Sequence, residues 1–185
     1  MRVGADVSGA RARRGEGALE SMGTDDLVAI ERIRQLKARY CRLFDTKQWD
    51  RLRAVFTPDA RLEGFSSMPD GSGVEVFLEA VSRRLAPAIT IHHVQAPEIK
   101  LLGPDKARGI WSMSDYVDFP PVPASSGASG ERGWRGWGWY EEEYEESDGA
   151  WRISFMRLVR QRMDALPADA APSKPGRLKP SLDWL

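Results

Sequence analysis

Two histidines, His92 and His93, stand side by side in the stretch TIHHVQ, and the chain has no others. Imidazole exchanges protons near neutral pH, so this pair is the natural starting point for acid–base chemistry. The stretch reads as a β-strand, on which successive side chains point to opposite faces. One histidine can enter an enclosed space and the other cannot. Alternation alone does not choose between them, because Ile89, Ile91 and His93 make as good an inward face as Thr90, His92 and Val94. A second candidate is Asp45, in RYCRLFDTKQWD, where a long apolar helical pattern breaks. A carboxylate there can cap a following helix, the commoner use of Asp. It can also bond one ring nitrogen of a histidine and raise the basicity of the other. Tyr40 lies on the same helical stripe. Arg160 shares a strand face with Met156 and Leu158, and there it is either an inward cation able to hold negative charge or an edge residue that discourages strand pairing. Two histidines and one cysteine, Cys41, offer no convincing metal set.

The elements that would position these groups are legible. Thr24, Asp25 and Asp26 open a helix with a cap and acidic charge. Leu27, Ile30, Ile33, Leu36, Tyr40 and Leu43 then recur at helical spacing to about Phe44. A second short helix carries Trp49, Leu52, Val55 and Phe56, and the TPD at 57–59 ends it. ARLEGF is a short strand, and 74–86 is a third amphipathic helix. Alternating segments follow at about 90–102, 107–119, 132–146 and 150–163, with GPDK and SDG as turns. The stretch PPVPASSGASG is a long connection that can lie over a pocket mouth. Helices first and a meandering sheet afterwards predict an α+β domain, its helices against one face of a curved antiparallel sheet that closes a cone-shaped pocket. In RGWRGWGWYEEEYEE, Trp137 and Trp139 share one strand face, while Trp134, Tyr140 and Tyr144 share the other. One face lines the cone and the other meets a helix or a subunit. Trp137 and Trp139 are assigned to the cone as substrate contacts.

At 185 residues the chain is long enough for one domain with a sizeable core. Residues 1–23 and 166–185 read as tails without apolar periodicity, around a domain at 24–165. Basic and acidic residues balance at 27 each, which argues against a nucleic-acid groove. No apolar run is long enough to span a membrane, and the lone cysteine suits a reducing cytoplasm.

Three blocks carry a family resemblance: IERIRQLKARYCRLFDTKQWDRLRAVFTPDARL, TIHHVQAPEIKLLGPDKARGIW and YEEEYEESDGAWRISFMRLVR. In this order and spacing the chain resembles the SnoaL-like branch of the nuclear-transport-factor-two-like superfamily over nearly all of 24–163. Within the branch it is similar to the bile-acid 7α-dehydratases, scytalone dehydratases and hexachlorocyclohexane dehydrochlorinases. The resemblance implies an α+β roll and a cofactor-independent lyase, most simply a dehydratase acting on an apolar cyclic, steroid- or polyketide-like molecule. It implies a catalytic set of Asp45, His92, Tyr40 and Arg160, with His92 inward and His93 outward. Trp111 stands where scytalone dehydratases carry a second histidine. Phe65 stands near a position held by a tyrosine in the family, and both are read as substrate contacts. Homo-oligomers, trimer or dimer, are implied as well. The same family scaffold supports cyclisation, isomerisation and epoxide hydrolysis, and an aromatic cone can also carry a ligand without turnover.

Overall fold

The computed structural model describes residues 22–121, 132–167, 171, 173–174 and 176–184. Residues 1–21 of the tail expected at 1–23, and most of the expected connection at 120–130, lie outside the described residues.

Helix α1, Thr24–Asp45, buries the stripe Ile33, Leu36, Tyr40, Leu43 and Phe44. Each such side chain contributes on the order of 1.5–3 kcal/mol when removed from water. Its cap is Gly23 rather than Thr24, and the Asp26 carboxylate reaches back to accept the Gly23 N–H at 2.9 Å. The other end closes by a Schellman motif. Gln48 N–H donates to the Leu43 carbonyl at 2.9 Å and Lys47 N–H to that of Phe44 at 3.1 Å. Helix α2, Trp49–Arg53, follows at once.

Strand β1, Phe56–Glu63, takes in the TPD expected to end α2. Pro58 has no N–H to donate, and it sits where the β1 register slips between Phe56 and Arg61, so the ladder loses nothing to it. A two-residue strand β2, Ser72–Gly73, leads into α3, Val74–Leu85. Four long strands complete the chain: β3, Ile89–Leu101; β4, Lys106–Asp118; β5, Gly133–Ser147; and β6, Ala150–Ala165.

The sheet is open and runs β2-β1-β6-β5-β4-β3. Pairing is antiparallel except between β1 and β6, which run parallel. Hairpins join β3 through β6, whereas β1 meets the last strand only after the whole chain has folded round, so no hairpin dictates its direction. The core lies between the sheet's inner face and the helices, with Leu62, Phe77, Ile153 and Met156 fully buried.

The tail beyond 166 touches the body. Ser173 Oγ donates to the buried Asp118 carboxylate, and the Leu182 carbonyl accepts from Arg51. Trp184 stays exposed. No described helix is long and apolar enough to cross a membrane.

Candidate active site

The strand carrying the histidines is the free edge of the sheet, paired only with β4. Thr90, His92 and Val94 turn inward, while Ile89, Ile91 and His93 are exposed. The alternation over 89–94 was ambiguous because the exposed face of this edge strand, with Ile89 and Ile91, is as apolar as the inward one, and a bulge keeps the rest of the strand from deciding. The register slips between Gln95 and Glu98, with Ala96 at φ 47°. Beyond the bulge the inward positions are the odd ones, Ile99 and Leu101, in phase with the outward Ile89 and Ile91.

Asp45 is the last residue of α1, and its carboxylate docks on this edge. His92 N–H donates to Oδ2 at 2.8 Å, Thr90 Oγ1 to Oδ1 at 2.9 Å, and His92 Nδ1 lies 2.7 Å from Oδ1. Asp45 therefore does not cap α2, whose N-cap, Gln48, makes no side-chain capping bond. A carboxylate only accepts, so Nδ1 carries the proton and Nε2 is the basic nitrogen. Among the described residues Nε2 has no partner. The Phe44 ring packs 4.6 Å from the imidazole at 61° and fixes its plane. Only 7% of the His92 side chain is exposed.

His92 lines a cavity of about 300 Å³ between the inner face and the helices. Tyr40 and Phe44 of α1, Phe65 after β1, and Tyr140 and Arg160 of the sheet share its wall. Burial, with the neighbouring Tyr140, holds the Tyr40 hydroxyl well above its ordinary value, so it stays a neutral donor. Asp115, directly across from His92 on β4, also faces the cavity.

Arg160 enters the cavity with its charge already matched. Its two terminal nitrogens reach the two oxygens of the buried Asp115 at 2.6 and 2.5 Å. The expectation of an arginine free to hold an anionic group is corrected accordingly: a bidentate pair is close to neutral, though Arg160 keeps further N–H donors. Gly136 lies between them. A Cβ there would stand 2.0 Å from Arg160 Nη1 and 2.3 Å from Asp115 Oδ1.

Three expected substrate contacts lie elsewhere. Trp137 and Trp139 are exposed on the outer face, because Gly136 and Gly138 take the inward positions of β5. Trp111 points inward but lies below the cavity in a buried polar chain. Its indole N–H donates to Tyr144 Oη at 2.7 Å; Tyr144 bonds Glu142, and Glu142 pairs with Lys37. The Lys37 ammonium lies 3.6 Å from the Tyr140 ring centre and 4.3 Å from that of Tyr40, braced against two rings of the cavity wall. Asp115, Lys37 and Glu142 were missed in the sequence. Each is a charged residue in phase with an apolar face: Asp115 with Met113 and Val117, Lys37 with Ile33 and Tyr40, and Glu142 with Tyr140 and Tyr144.

A larger groove of about 820 Å³ lies towards the opposite end of the sheet. Two of its arginines are paired within it, Arg108 with Glu143 at 2.6 Å and Arg157 with Glu141 at 3.3 Å. It lacks the histidine dyad, so the smaller cavity is the candidate site. Among the described residues no group of three or more His, Cys, Asp or Glu is placed to hold a metal.

Residues 25–157 match the model of the SnoaL-like domain. The chain belongs to the SnoaL-like family. A curated relative, named probable cyclase FGR4, from Gibberella zeae, is 24% identical over 140 residues, covering 69% of this chain and 88% of the relative. Two solved structures show the same SnoaL-like fold. Hexachlorocyclohexane dehydrochlorinase LinA type 2 superposes with TM-score 0.66 at 20% identity, covering 83% of this chain and 98% of its own. A scytalone dehydratase-like protein from Novosphingobium aromaticivorans gives TM-score 0.67 at 16% identity, covering 85% and 100%. Within this SnoaL-like domain, the helices and curved sheet expected from the sequence are in place.

Proposed function

We propose that this SnoaL-like protein is a cofactor-independent lyase, a dehydratase that removes water from a neutral cyclic substrate. The observation that carries the reading is the Asp45–His92 pair on the wall of a partly open, aromatic-lined cavity, with Nδ1 tied to the carboxylate and Nε2 without a partner among the described residues. His92 Nε2 takes the proton next to an acidifying carbonyl. Tyr40 donates to the oxygen on which charge develops, and the imidazolium returns the proton to the departing hydroxyl. Asp45 holds the tautomer and stabilises the imidazolium, as the carboxylate does in a serine-hydrolase triad. Arg160, neutralised by Asp115, contributes N–H donors instead of a free charge, which favours a carbonyl over a carboxylate in the substrate. A volume of about 300 Å³ is at the small end for ligand sites, so a compact ring system suits it better than a steroid.

Likeness to a protein named as a cyclase supports a second reading, ring closure by the same dyad. The test is a panel of hydroxylated cyclic ketones analysed by mass spectrometry. Loss of one water, abolished in Asp45→Asn, supports the dehydratase. Products of unchanged mass support cyclisation or isomerisation, and ligand retention without product supports a carrier. The exposed Trp137, Trp139 and Ile110 on the sheet's outer face support a homo-oligomer, and a monomeric mass by light scattering at micromolar concentration would contradict it.

A further inference from the structure

Lys47 holds a position that backbone chemistry would give to glycine. It is the residue just past the α1 C-cap, Thr46, in the Schellman motif, with φ 60°. That left-handed conformation is usually taken by Gly and is disfavoured for a side chain with a Cβ. A lysine kept there against local preference points to a use for its side chain.

The side chain turns inward to the dyad. Lys47 Nζ donates to Thr90 Oγ1 at 2.7 Å. Thr90 is buried, and its hydroxyl in turn donates to Asp45 Oδ1 at 2.9 Å. The same oxygen meets His92 Nδ1. The ammonium occupies a Thr90 lone pair, so the one hydroxyl proton is committed to Asp45. A single directed chain results: Lys47 to Thr90 to Asp45, with His92 donating from the other side. Phe44 and Trp49 stand 5.8 and 5.7 Å from the ammonium and confine it.

We infer that Lys47, acting through Thr90, is a positioning residue for the Asp45–His92 dyad, fixing the Asp45 carboxylate and making the dyad's electrostatics depend on the charge of one lysine. The inference rests on the dyad reading above. Hydrogen bonds in such a chain polarise one another, so a charge lost at one end is felt at the other. Burial lowers the Lys47 amine to about 8, against the opposing pull of Asp45, which puts the loss of its charge within an accessible pH range. The groups that face it are Asp45 at the end of α1, the Thr90 hydroxyl on β3 and the Trp49 ring on α2. Asp50, the acid of α2, has an almost fully exposed side chain and pairs with Arg53.

The test is NMR of the two imidazole rings from pH 6 to 10, without substrate, with His93→Gln to assign them. The wild-type His92 ring signals should show an inflection near pH 8 that His93 lacks. Lys47→Gly suits the backbone and should fold at least as stably as the wild type while losing that inflection. Thr90→Val, which cuts the chain but keeps the lysine, should lose it too. Lys47→Arg, a charge that does not titrate there, should show none. An inflection that survives in Lys47→Gly, or that His93 shares, overturns the inference, as does a wild-type His92 without one. Because no turnover is measured, such a failure leaves the dehydratase reading standing, and an inactive substrate panel leaves this result unaffected.

Discussion

Cys41 shows how firmly the site is walled in. It is buried one helical turn before Asp45, and burial pushes its thiol up to about 11 despite Lys37 nearby. The thiolate is the reactive form. The native protein should therefore react negligibly with Ellman's reagent at pH 8, and one thiol per chain should appear on unfolding in guanidinium. Rapid native labelling would mean that the α1 face opens readily. Arg160 carries the clearest penalty for a lost partner. Replacing Asp115 by Asn leaves the guanidinium in the cavity wall with its charge unmatched, a change that costs about 3–5 kcal/mol in comparable buried pairs. Chemical denaturation of Asp115→Asn measures it, and a cost below about 1 kcal/mol would show the pair to be well solvated. At this scale the chain discloses residue types but not partners. Asp45 and His92 were each ambiguous alone, and the resemblance coupled them. The pairing of Arg160 with Asp115 was not legible, because it depends on which residues two non-adjacent strands turn towards each other.

The strand β5 explains why aromatic residues misled. Its pattern of tryptophans and glycines alternates, and Trp137 and Trp139 are expected in the cavity, whereas Trp134 of the other face lines it. Space decides the face. Gly136 and Gly138 face inward, Gly136 because the Arg160–Asp115 pair occupies the volume a side chain would need. Gly136→Ala should push the pair aside and destabilise by about 1–3 kcal/mol, as overpacking does. At Gly103, where the closest atom to an added Cβ is Asp105 Oδ1 at 3.8 Å, alanine should be nearly neutral. Equal stability in the two variants, read from denaturant midpoints, would contradict this packing. Unlike α2, which stops at Arg53 short of Val55 and Phe56, helices α1 and α3 and the ends of the four long strands were legible within a residue or two from their apolar spacing and turn residues. The inward phase of β3 was not, since the bulge after Gln95 reverses it. The parallel β1–β6 pairing was hidden too, because periodicity says nothing about which strands lie side by side.

Across the whole molecule, alkaline pH sets buried groups against one another. Cys41 and the buried Tyr40, Tyr140 and Tyr144 all have raised values in the fold. Each stabilises below its unfolded value, about 9 for the thiol and 10 for the phenols, and that contribution is lost as pH rises through the folded value. Lys47 has the opposite sign. Its amine is lowered to about 8 from 10.5, so its destabilising contribution is relieved between those two values. The thiol and Lys47 roughly offset each other between about pH 9 and 10, and stability should fall steeply above about 10, where three phenols and the thiol outweigh one lysine. Thermal melts from pH 8 to 11.5 test the shape. A steep decline beginning at pH 9 in the wild type, unchanged in Cys41→Ala, would contradict it. The tail beyond 166 was expected to add little to the fold, yet it hydrogen-bonds the body at Asp118 and Arg51. Each such bond contributes on the order of 1 kcal/mol. Ending the chain at residue 166 should lower Tm by a few degrees, at about 2–4 °C per kcal/mol for this size. An unchanged Tm would show those contacts to be energetically idle.

Of the two adjacent histidines, the proposed mechanism makes His92 the base and gives His93 no part. The most direct measurement is kcat/KM for water loss in His92→Ala and His93→Gln, on whichever hydroxylated cyclic ketone the panel yields, with both variants confirmed folded. A fall of about 10²–10⁴-fold is expected for His92→Ala and little change for His93→Gln, whose side chain is exposed on the far face of the strand. Equal activity in the two variants would contradict the mechanism.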